Sequence, residues 1–248
     1  LFLQPRWTGS EPVCRPIPRV DPVACTRCGQ CGRICRYSAI VCIGEQVLVY
    51  PELCHACGGC VRVCPAGAIA EVPIEVGRLE RGQADGVAFV HGLLDVGQAM
   101  SPPVIRAVRA ARPPADLAVL DAPPGTSCPV IEAVRGCDYT VLVTEPTPFG
   151  LHDLTLAVEM LRALRQPFGV VVNRAGAGDA RTHDTCRAEG VEVLAEIPDD
   201  RRIAEAYARG AVVPAARPEL QPTFADLLDR VVARAAGTAR PAAGDPHP

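Results

Sequence analysis

Two stretches decide how this chain is organised: Cys25-Thr-Arg-Cys28-Gly-Gln-Cys31-Gly-Arg-Ile-Cys35 and Cys54-His-Ala-Cys57-Gly-Gly-Cys60-Val-Arg-Val-Cys64-Pro65. Each has the spacing C-x2-C-x2-C-x3-C, and corresponding cysteines lie 29 residues apart, as from position 25 to position 54. Thiolates are strong ligands for soft transition metals, and three of them in one short loop can surround a metal centre. The repeated pattern therefore predicts a metal-binding module.

Length, charge and hydropathy limit what the rest of the chain can be. The 248 residues carry a net charge of -3, and 48% of them are apolar. This size allows one large core, or a core with a small module. The charge gives no electrostatic reason to expect a nucleic-acid partner. No apolar run approaches the roughly 20 residues that span a bilayer, and no signal peptide is recognisable, so we expect a cytoplasmic protein without a membrane span.

The cysteine count favours metal over disulfides. The chain has 13 cysteines, an odd number, and in a chain of this length such clustering is more typical of metal ligation. A pair of structural zinc sites is the alternative to iron–sulfur clusters. Zinc usually takes four ligands from paired C-x2-C knuckles, so the third cysteine of each run would be surplus. The cysteines outside the repeat are expected to be ordinary thiols, with a redox role for Cys128 as the alternative.

The sequence after about residue 74 alternates between apolar runs and helical patterns. We predict strands at residues 87–90, 117–121, 140–144, 169–173 and 191–197. We predict helices around residues 101–111, 130–134, 154–161, 182–189 and 224–235. Such alternation indicates an α/β fold with a doubly wound, mainly parallel sheet. Asp121, Thr144 and Asn173 end predicted strands and Pro198 follows one, so all four should lie at the ligand-binding edge of the sheet.

The cysteine stretch resembles the bacterial two-cluster ferredoxin module. In that module the fourth cysteine of each run binds the cluster of the other run. The resemblance therefore implies two [4Fe–4S] clusters, whose ligand sets are Cys25, Cys28, Cys31 and Cys64, and Cys54, Cys57, Cys60 and Cys35. One departure is Arg36, which follows Cys35 where the pattern has proline.

A second resemblance covers most of the remaining chain. The segment Leu117-Ala-Val-Leu-Asp121-Ala-Pro-Pro-Gly125 is similar to a motif of MinD/ParA-type P-loop ATPases, as are Val172-Asn173-Arg174 and Ile197-Pro198-Asp199. One branch of that superfamily carries an inserted two-cluster ferredoxin module. The resemblance thus implies an incomplete P-loop NTPase-like sheet with an inserted small α+β ferredoxin-like domain. The implied divisions are residues 1–17 and 76–236 for the ATPase-like domain, 18–75 for the insertion and 237–248 for a disordered tail.

The same resemblance assigns three nucleotide contacts. Asp121 would hold Mg2+ through water, Gly125 would approach the γ-phosphate of ATP, and Asn173 would bond the adenine. Read alone, Pro123-Pro124-Gly125 is only a turn and Asn173 could be a helix cap. The family's Gly-rich phosphate loop needs lysine, and all 25 basic residues here are arginine. We therefore expect weak or no ATP binding, and expect the family's first strand, helix and second strand to precede Leu1.

These observations favour one function and leave two alternatives. The favoured function is electron transfer through two [4Fe–4S] clusters in a MinD-like scaffold, coupled to ATP binding in the full-length protein. The first alternative is an electron-carrier subunit whose scaffold is not catalytic. The second is an iron–sulfur or metallocofactor assembly factor. The expected partners are a redox protein and a second copy of the chain.

Overall fold

The computed structural model of the chain describes residues 4–237, which form two compact units. One unit comprises residues 5–118, and the other comprises the described residues from Val119 onward together with Gln4. The tail expected to be disordered lies, apart from Gly237, outside the described residues.

The unit of residues 5–118 is built on an antiparallel sheet with the strand order β1-β4-β5. Its strands are β1 (Arg6–Val20), β2 (Ile40–Ile43), β3 (Gln46–Val49), β4 (Ile69–Ala84) and β5 (Val87–Leu94). Its helices are α1 (Gln30–Ile34), a 3-10 turn (Pro51–Leu53), α2 (Gly59–Arg62) and α3 (Pro102–Ala110). The cysteine runs lie between β1 and β4, so the chain enters and leaves them through one antiparallel ribbon.

The strand pairing extends the cysteine repeat beyond the cysteines. In the hairpin of β2 and β3, Ile40 pairs with Val49, and in the ribbon of β4 and β1, Ile69 pairs with Val20. A step of 29 residues takes position 40 to 69 and position 20 to 49, so the two pairs are equivalent. Residues 17–43 and 46–72 are therefore two copies of one strand–loop–strand unit.

The first strand contains prolines at positions 12, 16 and 18, which cannot donate to a strand ladder. They are tolerated because β1 lies at the edge of its sheet, where one side needs no partner. The inner face of the sheet packs on α3 through four buried side chains, Val13, Val76, Leu79 and Val104. This apolar cluster is the core of the unit outside the cysteine loops.

The prediction that residues 87–90 form a buried strand of the parallel sheet is wrong. They belong to β5, which runs antiparallel to β4, and Val87 is 56% exposed. The reason is the turn of Asp85 and Gly86, both of which have positive φ, at 48° and 82°. Asp-Gly is a strong signal for a two-residue hairpin, and it places the next strand beside the one before it.

The second unit has α/β architecture, as predicted. Its parallel sheet has the order β6-β7-β8, formed by β6 (Thr140–Thr144), β7 (Phe168–Ala175) and β8 (Val193–Pro198). Its helices are α4 (Cys128–Val134), α5 (Pro148–Ala163), α6 (Arg181–Ala188), α7 (Arg201–Ala208), α8 (Val213–Ala216), a 3-10 turn (Pro218–Leu220) and α9 (Gln221–Gly237). The central strand β7 supplies Val170 and Val172, which are fully buried against α5 and α6.

The prediction of a buried strand at residues 117–121 is also wrong. The segment has no regular secondary structure, and Leu117 and Val119 are 49% and 86% exposed. An apolar run becomes a strand only where a partner strand offers hydrogen bonds, and β6 takes the edge of the described sheet instead. Asp121 therefore does not follow a strand.

Two further observations concern the extent of the units. Within residues 4–237, no helix has the length and apolarity needed to cross a membrane. The expected division points 17/18 and 75/76 fall inside β1 and β4, whereas the two compact units divide at residues 118 and 119. The assignment of 1–17 and 76–236 to one ATPase-like domain stays a prediction.

The core of the first unit gives a test of this fold. Replacing Leu79, which is 1% exposed, by alanine should lower the free energy of unfolding by about 2–5 kcal/mol, because it leaves a cavity beside α3. The matched control is Leu93→Ala on β5, where the side chain is 46% exposed and the cost should be about 0.5 kcal/mol. Urea unfolding followed by the fluorescence of Trp7, which lies on β1, reports on this unit. Equal costs for the two variants would contradict the described sheet.

Candidate metal centre

The two cysteine loops have the same backbone conformation at equivalent positions. Positive φ recurs at matching places in the two copies: Arg27 with Ala56, Gly29 with Gly58, and Ser38 with Gly67. The members of each pair are 29 residues apart. The repeat read from the cysteines is thus a repeat of backbone geometry as well.

At two of these positions positive φ is unusual, because the residue is not glycine. Arg27 and Ala56 adopt φ of 58° and 53°, although a side chain makes this conformation unfavourable by about 1–2 kcal/mol. Residues of mixed αR and αL conformation turn successive backbone N–H groups toward one point, which forms a concave anion site of the kind found at many iron–sulfur centres. Each loop therefore has backbone suited to holding a negatively charged group.

The first predicted ligand set lies around one pocket. Cys25, Cys28, Cys31 and Cys64 all line one small cavity that is partly open to solvent. Cys64 comes from the second run, 33 residues after Cys31, so the strand pairing of β1 with β4 brings it back to the first loop. Four thiols around one cavity are a donor set that fits an iron–sulfur cluster.

Two observations place members of the second predicted ligand set near one another. Burial raises the pKa of Cys60, and the neighbouring thiols of Cys54 and Cys57 raise that pKa further. Cys35, from the first run, packs against the same apolar cluster as Cys54. This cluster also contains Ile17 and Ala39. Cys35 and Cys54, which come from different runs, thus pack against one cluster, and their membership of one ligand set stays a prediction.

Backbone donors surround several of the sulfur atoms. The N–H of Ala56 donates to Sγ of Cys54 at 3.4 Å, and the N–H of Ala68 donates to Sγ of Cys64 at 3.3 Å. Burial acts to raise the pKa of Cys35, but backbone N–H groups at residues 37–40 outweigh it and lower that pKa. The same donors would stabilise the negative charge of a bound cluster.

Cys28 and Cys31 differ sharply although three residues separate them. Cys28 is exposed, and the N–H of Gln30 lowers its pKa. Cys31 is buried, and this burial, with the neighbouring Cys42 thiol, raises its pKa to about 11. The two sulfur atoms of Cys31 and Cys42 are 3.7 Å apart, and Cys42 lines the same cavity as the four predicted ligands. The prediction that Cys42 is an ordinary thiol did not include this close approach to a predicted ligand.

Among the described residues, no three or more His, Cys, Asp or Glu side chains are grouped so that they could share one metal ion.

The three predicted nucleotide residues lie in different kinds of structure. Asp121 and Gly125 belong to the irregular segment before α4, and Gly125 has φ of 95° with open space around its Cα. Asn173 lies on the central strand β7 and is partly buried. Their role in binding a nucleotide stays a prediction.

An ion-pair cluster at the carboxyl edge of the parallel sheet was not predicted. The guanidinium of Arg174 donates to Asp199 at 3.0 Å and to Glu145 at 3.1 Å. These carboxylates directly follow β8 and β6, and both raise the pKa of Arg174, Asp199 more strongly. The three residues tie together the ends of three strands, next to Asn173. Sequence offered a signal for this, since each charged residue comes at or just after a strand end.

Thiol reactivity tests the described environments. In protein stripped of metal, iodoacetamide should alkylate Cys28 at least about tenfold faster than Cys31 at pH 7.5. The reason is that the lowered pKa of Cys28 increases its thiolate fraction, whereas the raised pKa of Cys31 decreases it. Both cysteines lie on the tryptic peptide of residues 28–33, so fragmentation of this peptide in tandem mass spectrometry gives the two rates. The same reaction in 8 M urea, a concentration chosen to unfold the chain, should equalise them. Equal rates without urea would contradict the description.

One family model matches part of this module. It is described as a 4Fe-4S binding domain, and it covers residues 47–70, which contain four of the eight repeat cysteines.

Several known proteins are similar to parts of the chain. The uncharacterized proteins MJ0579 and MJ0578 of Methanocaldococcus jannaschii are 33% and 32% identical to it over 95 and 154 residues, which are 38% and 61% of this chain. The chain covers only 32% and 54% of their lengths. An iron–sulfur cluster carrier protein of Aquifex aeolicus is 29% identical over 137 residues, 47% of this chain and 38% of that protein.

Among solved structures, the cell division ATPase MinD of Pyrococcus furiosus is similar, with a TM-score of 0.48 and 25% identity over 61% of this chain and 68% of that one. Four of the repeat cysteines are covered by the match to the 4Fe-4S binding domain. The chain thus contains an iron–sulfur binding segment of the 4Fe-4S kind at residues 47–70.

Proposed function

We propose that this chain binds two [4Fe–4S] clusters and transfers single electrons between them and a redox partner protein. The observation that carries the proposal is the meeting of Cys64 with Cys25, Cys28 and Cys31 around one cavity. Two independent four-cysteine sites, one for each run, would not need this exchange. The interleaved arrangement is what two clusters held by two C-x2-C-x2-C-x3-C runs require.

The protein's own groups have three roles in this function. The thiolates hold the clusters, and the backbone N–H groups of residues such as Ala56 and Ala68 donate hydrogen bonds to the sulfur atoms. The clusters, when bound, supply one-electron chemistry. Cys28 and Cys57 are the exposed members of the two sets, so each cluster would approach the surface at an equivalent point. Electrons would enter or leave there, because transfer to a partner protein needs a short path to solvent.

The ligand exchange can be tested by counting iron. Two clusters predict about eight irons per chain. Cys28→Ala together with Cys64→Ala removes two ligands from the same cluster, so about four irons should remain. Cys28→Ala together with Cys35→Ala removes one ligand from each cluster, so far fewer than four should remain. Iron and acid-labile sulfide are measured after anaerobic reconstitution, with absorbance near 400 nm as the signature of the clusters.

A matched control limits the interpretation of these variants. Cys128→Ala removes an exposed thiol from the other compact unit and should leave about eight irons. If the two double variants retain equal amounts of iron, the interleaved ligand sets are wrong. If the unaltered protein takes up zinc in place of iron and sulfide, the iron–sulfur function is wrong.

A second candidate function is that the clusters are cargo. It is favoured by the likeness of 47% of the chain to a protein named as an iron–sulfur cluster carrier. Incubation of the loaded protein with a metal-free acceptor ferredoxin distinguishes the two functions. Transfer of clusters within minutes favours a carrier, whereas retention of clusters through repeated reduction and oxidation favours an electron-transfer protein.

We further propose that the unit beginning at Val119 derives from a MinD-like ATPase scaffold and that it forms a dimer in the cytoplasm. Asp121, Gly125 and Asn173 are the proposed contacts to ATP and Mg2+. The chain covers about half or less of the lengths of the relatives that it matches, so coupling of ATP to electron transfer is a proposal for the longer protein.

The nucleotide proposal has its own test. This chain should show no ATP turnover above that of a buffer blank, because it has no lysine to hold the phosphates. Phosphate release in the presence of Mg2+ measures turnover, and the Asp121→Asn variant is the control. Turnover that disappears in this variant would show that the chain has a complete phosphate site.

A further inference from the structure

The feature that the proposed function does not use is the buried guanidinium of Arg15. This residue lies on β1, ten positions before Cys25, the first cysteine of the repeat, and only 3% of its surface is exposed. Its Nη1 donates to the carbonyl of Cys54 at 2.5 Å, and its Nη2 donates to the carbonyl of Pro51 at 2.6 Å. These two hydrogen bonds attach the Arg15 side chain to the loop that begins the second cysteine run.

The charge of Arg15 is buried against neutral carbonyl oxygens. Within residues 4–237 no carboxylate pairs with it, and its Nε is buried without a hydrogen-bond partner. A buried cation is strongly unfavourable unless an anion lies nearby, because burial removes its hydration. Carbonyl oxygens recover only part of this loss. The position thus calls for a negative charge close to the Cys54 loop.

The position equivalent to Arg15 in the other copy of the repeat is not an arginine. The step of 29 residues that relates the two copies takes Arg15 to Gly44, which lies in the turn between β2 and β3 and has no side chain. The same step relates Pro51 and Cys54 to Pro22 and Cys25. The loop of the first run therefore lacks the equivalent cation, although its backbone conformation is the same.

We propose that Arg15 is a positioning residue that raises the reduction potential of the cluster held by Cys54, Cys57, Cys60 and Cys35 above that of the other cluster. This inference rests on the proposed function. A [4Fe–4S] core with four thiolates is an anion, and reduction adds one electron to it without breaking a bond. A buried cation stabilises the reduced form more than the oxidised form, since the interaction grows with the negative charge.

The difference between the two copies would decide which cluster holds the electron. Two clusters in equivalent backbone cages would have similar potentials, and an electron would have no preferred resting site. A buried cation that has no equivalent in the other copy makes the cluster beside it the lower-energy site for the electron. The chain would then take up an electron and hold it preferentially at the Cys54 side.

Redox titration of the reconstituted protein with sodium dithionite tests the proposal. Electron paramagnetic resonance of the reduced clusters resolves two one-electron steps. Arg15→Gln removes the charge, and it should shift one step, and only one, to a more negative potential. The expected size is at least a tenfold change in the reduced-to-oxidised ratio at fixed potential, which corresponds to 59 mV for a one-electron couple.

Two further variants separate charge from structure. Arg15→Lys keeps the charge and loses the two-pronged contact, so it should retain most of the potential difference even where it weakens the loop. Arg19→Gln removes an exposed arginine from the same strand and should shift neither step. A merely structural role of Arg15 would give equal effects for the Gln and Lys variants, and that result would overturn the proposal.

The failure of this proposal can be distinguished from the failure of the proposed function. Iron and sulfide content are measured before any titration. Fewer than two clusters in the unaltered protein would contradict the proposed function. Two clusters with potentials that do not respond to Arg15→Gln, or that both respond equally, would overturn only the role of Arg15. If Arg15→Gln does not take up the second cluster, a Lys variant that loads but shows the potentials of two equivalent clusters overturns it as well.

Discussion

The pairing of β1 with β4 is the constraint on which the first unit depends. It runs from Arg6 and Gln83 to Val20 and Ile69, and its last pair closes the chain around both cysteine runs. This pairing brings Cys64 back to the loop of Cys25. A small module with few apolar residues cannot close such a loop on burial alone, because the entropy lost is considerable. The long ribbon and the bound clusters would share that cost.

The duplicated backbone and the unique side chains have different consequences. Equal positive φ values at Arg27 and Ala56 give the two loops similar concave sets of N–H groups, so the backbone by itself treats the two cluster sites alike. Differences come from side chains that the repeat does not copy. Cys42 approaches Cys31, whereas position 71 in the second copy is glutamate. Both hydrogen bonds of the Arg15 guanidinium go to the second loop. An asymmetric electronic site can thus be built on a symmetric frame.

Sequence predicted those parts that depend on local patterns. The strands at 140–144 and 169–173 and the helices near 101–111 and 182–189 occur with small changes of boundary, because their apolar periodicity persists in the folded unit. Residues 87–90 and 117–121 failed for a shared reason: an apolar run indicates a strand but does not identify its partner. For the first, the Asp85-Gly86 turn identifies the partner as the preceding strand. The positions of Arg15 and Cys42 depend on tertiary packing, and no periodicity predicts them.

The two candidate sites differ in how their residues are held. Paired strands hold both ends of the cysteine loops, which limits how far the thiols of one loop can move from those of the other. Of the nucleotide residues, only Asn173 lies on a strand, and Arg174 beside it is already paired with Glu145 and Asp199. Each of these exposed ion pairs contributes little to stability, because water screens the charges. A phosphate or ribose arriving at this edge would therefore find an arginine that can exchange partners at low cost. Asp121 and Gly125 lie in an irregular segment, so nucleotide binding there would have to order the segment and would lose affinity to that ordering.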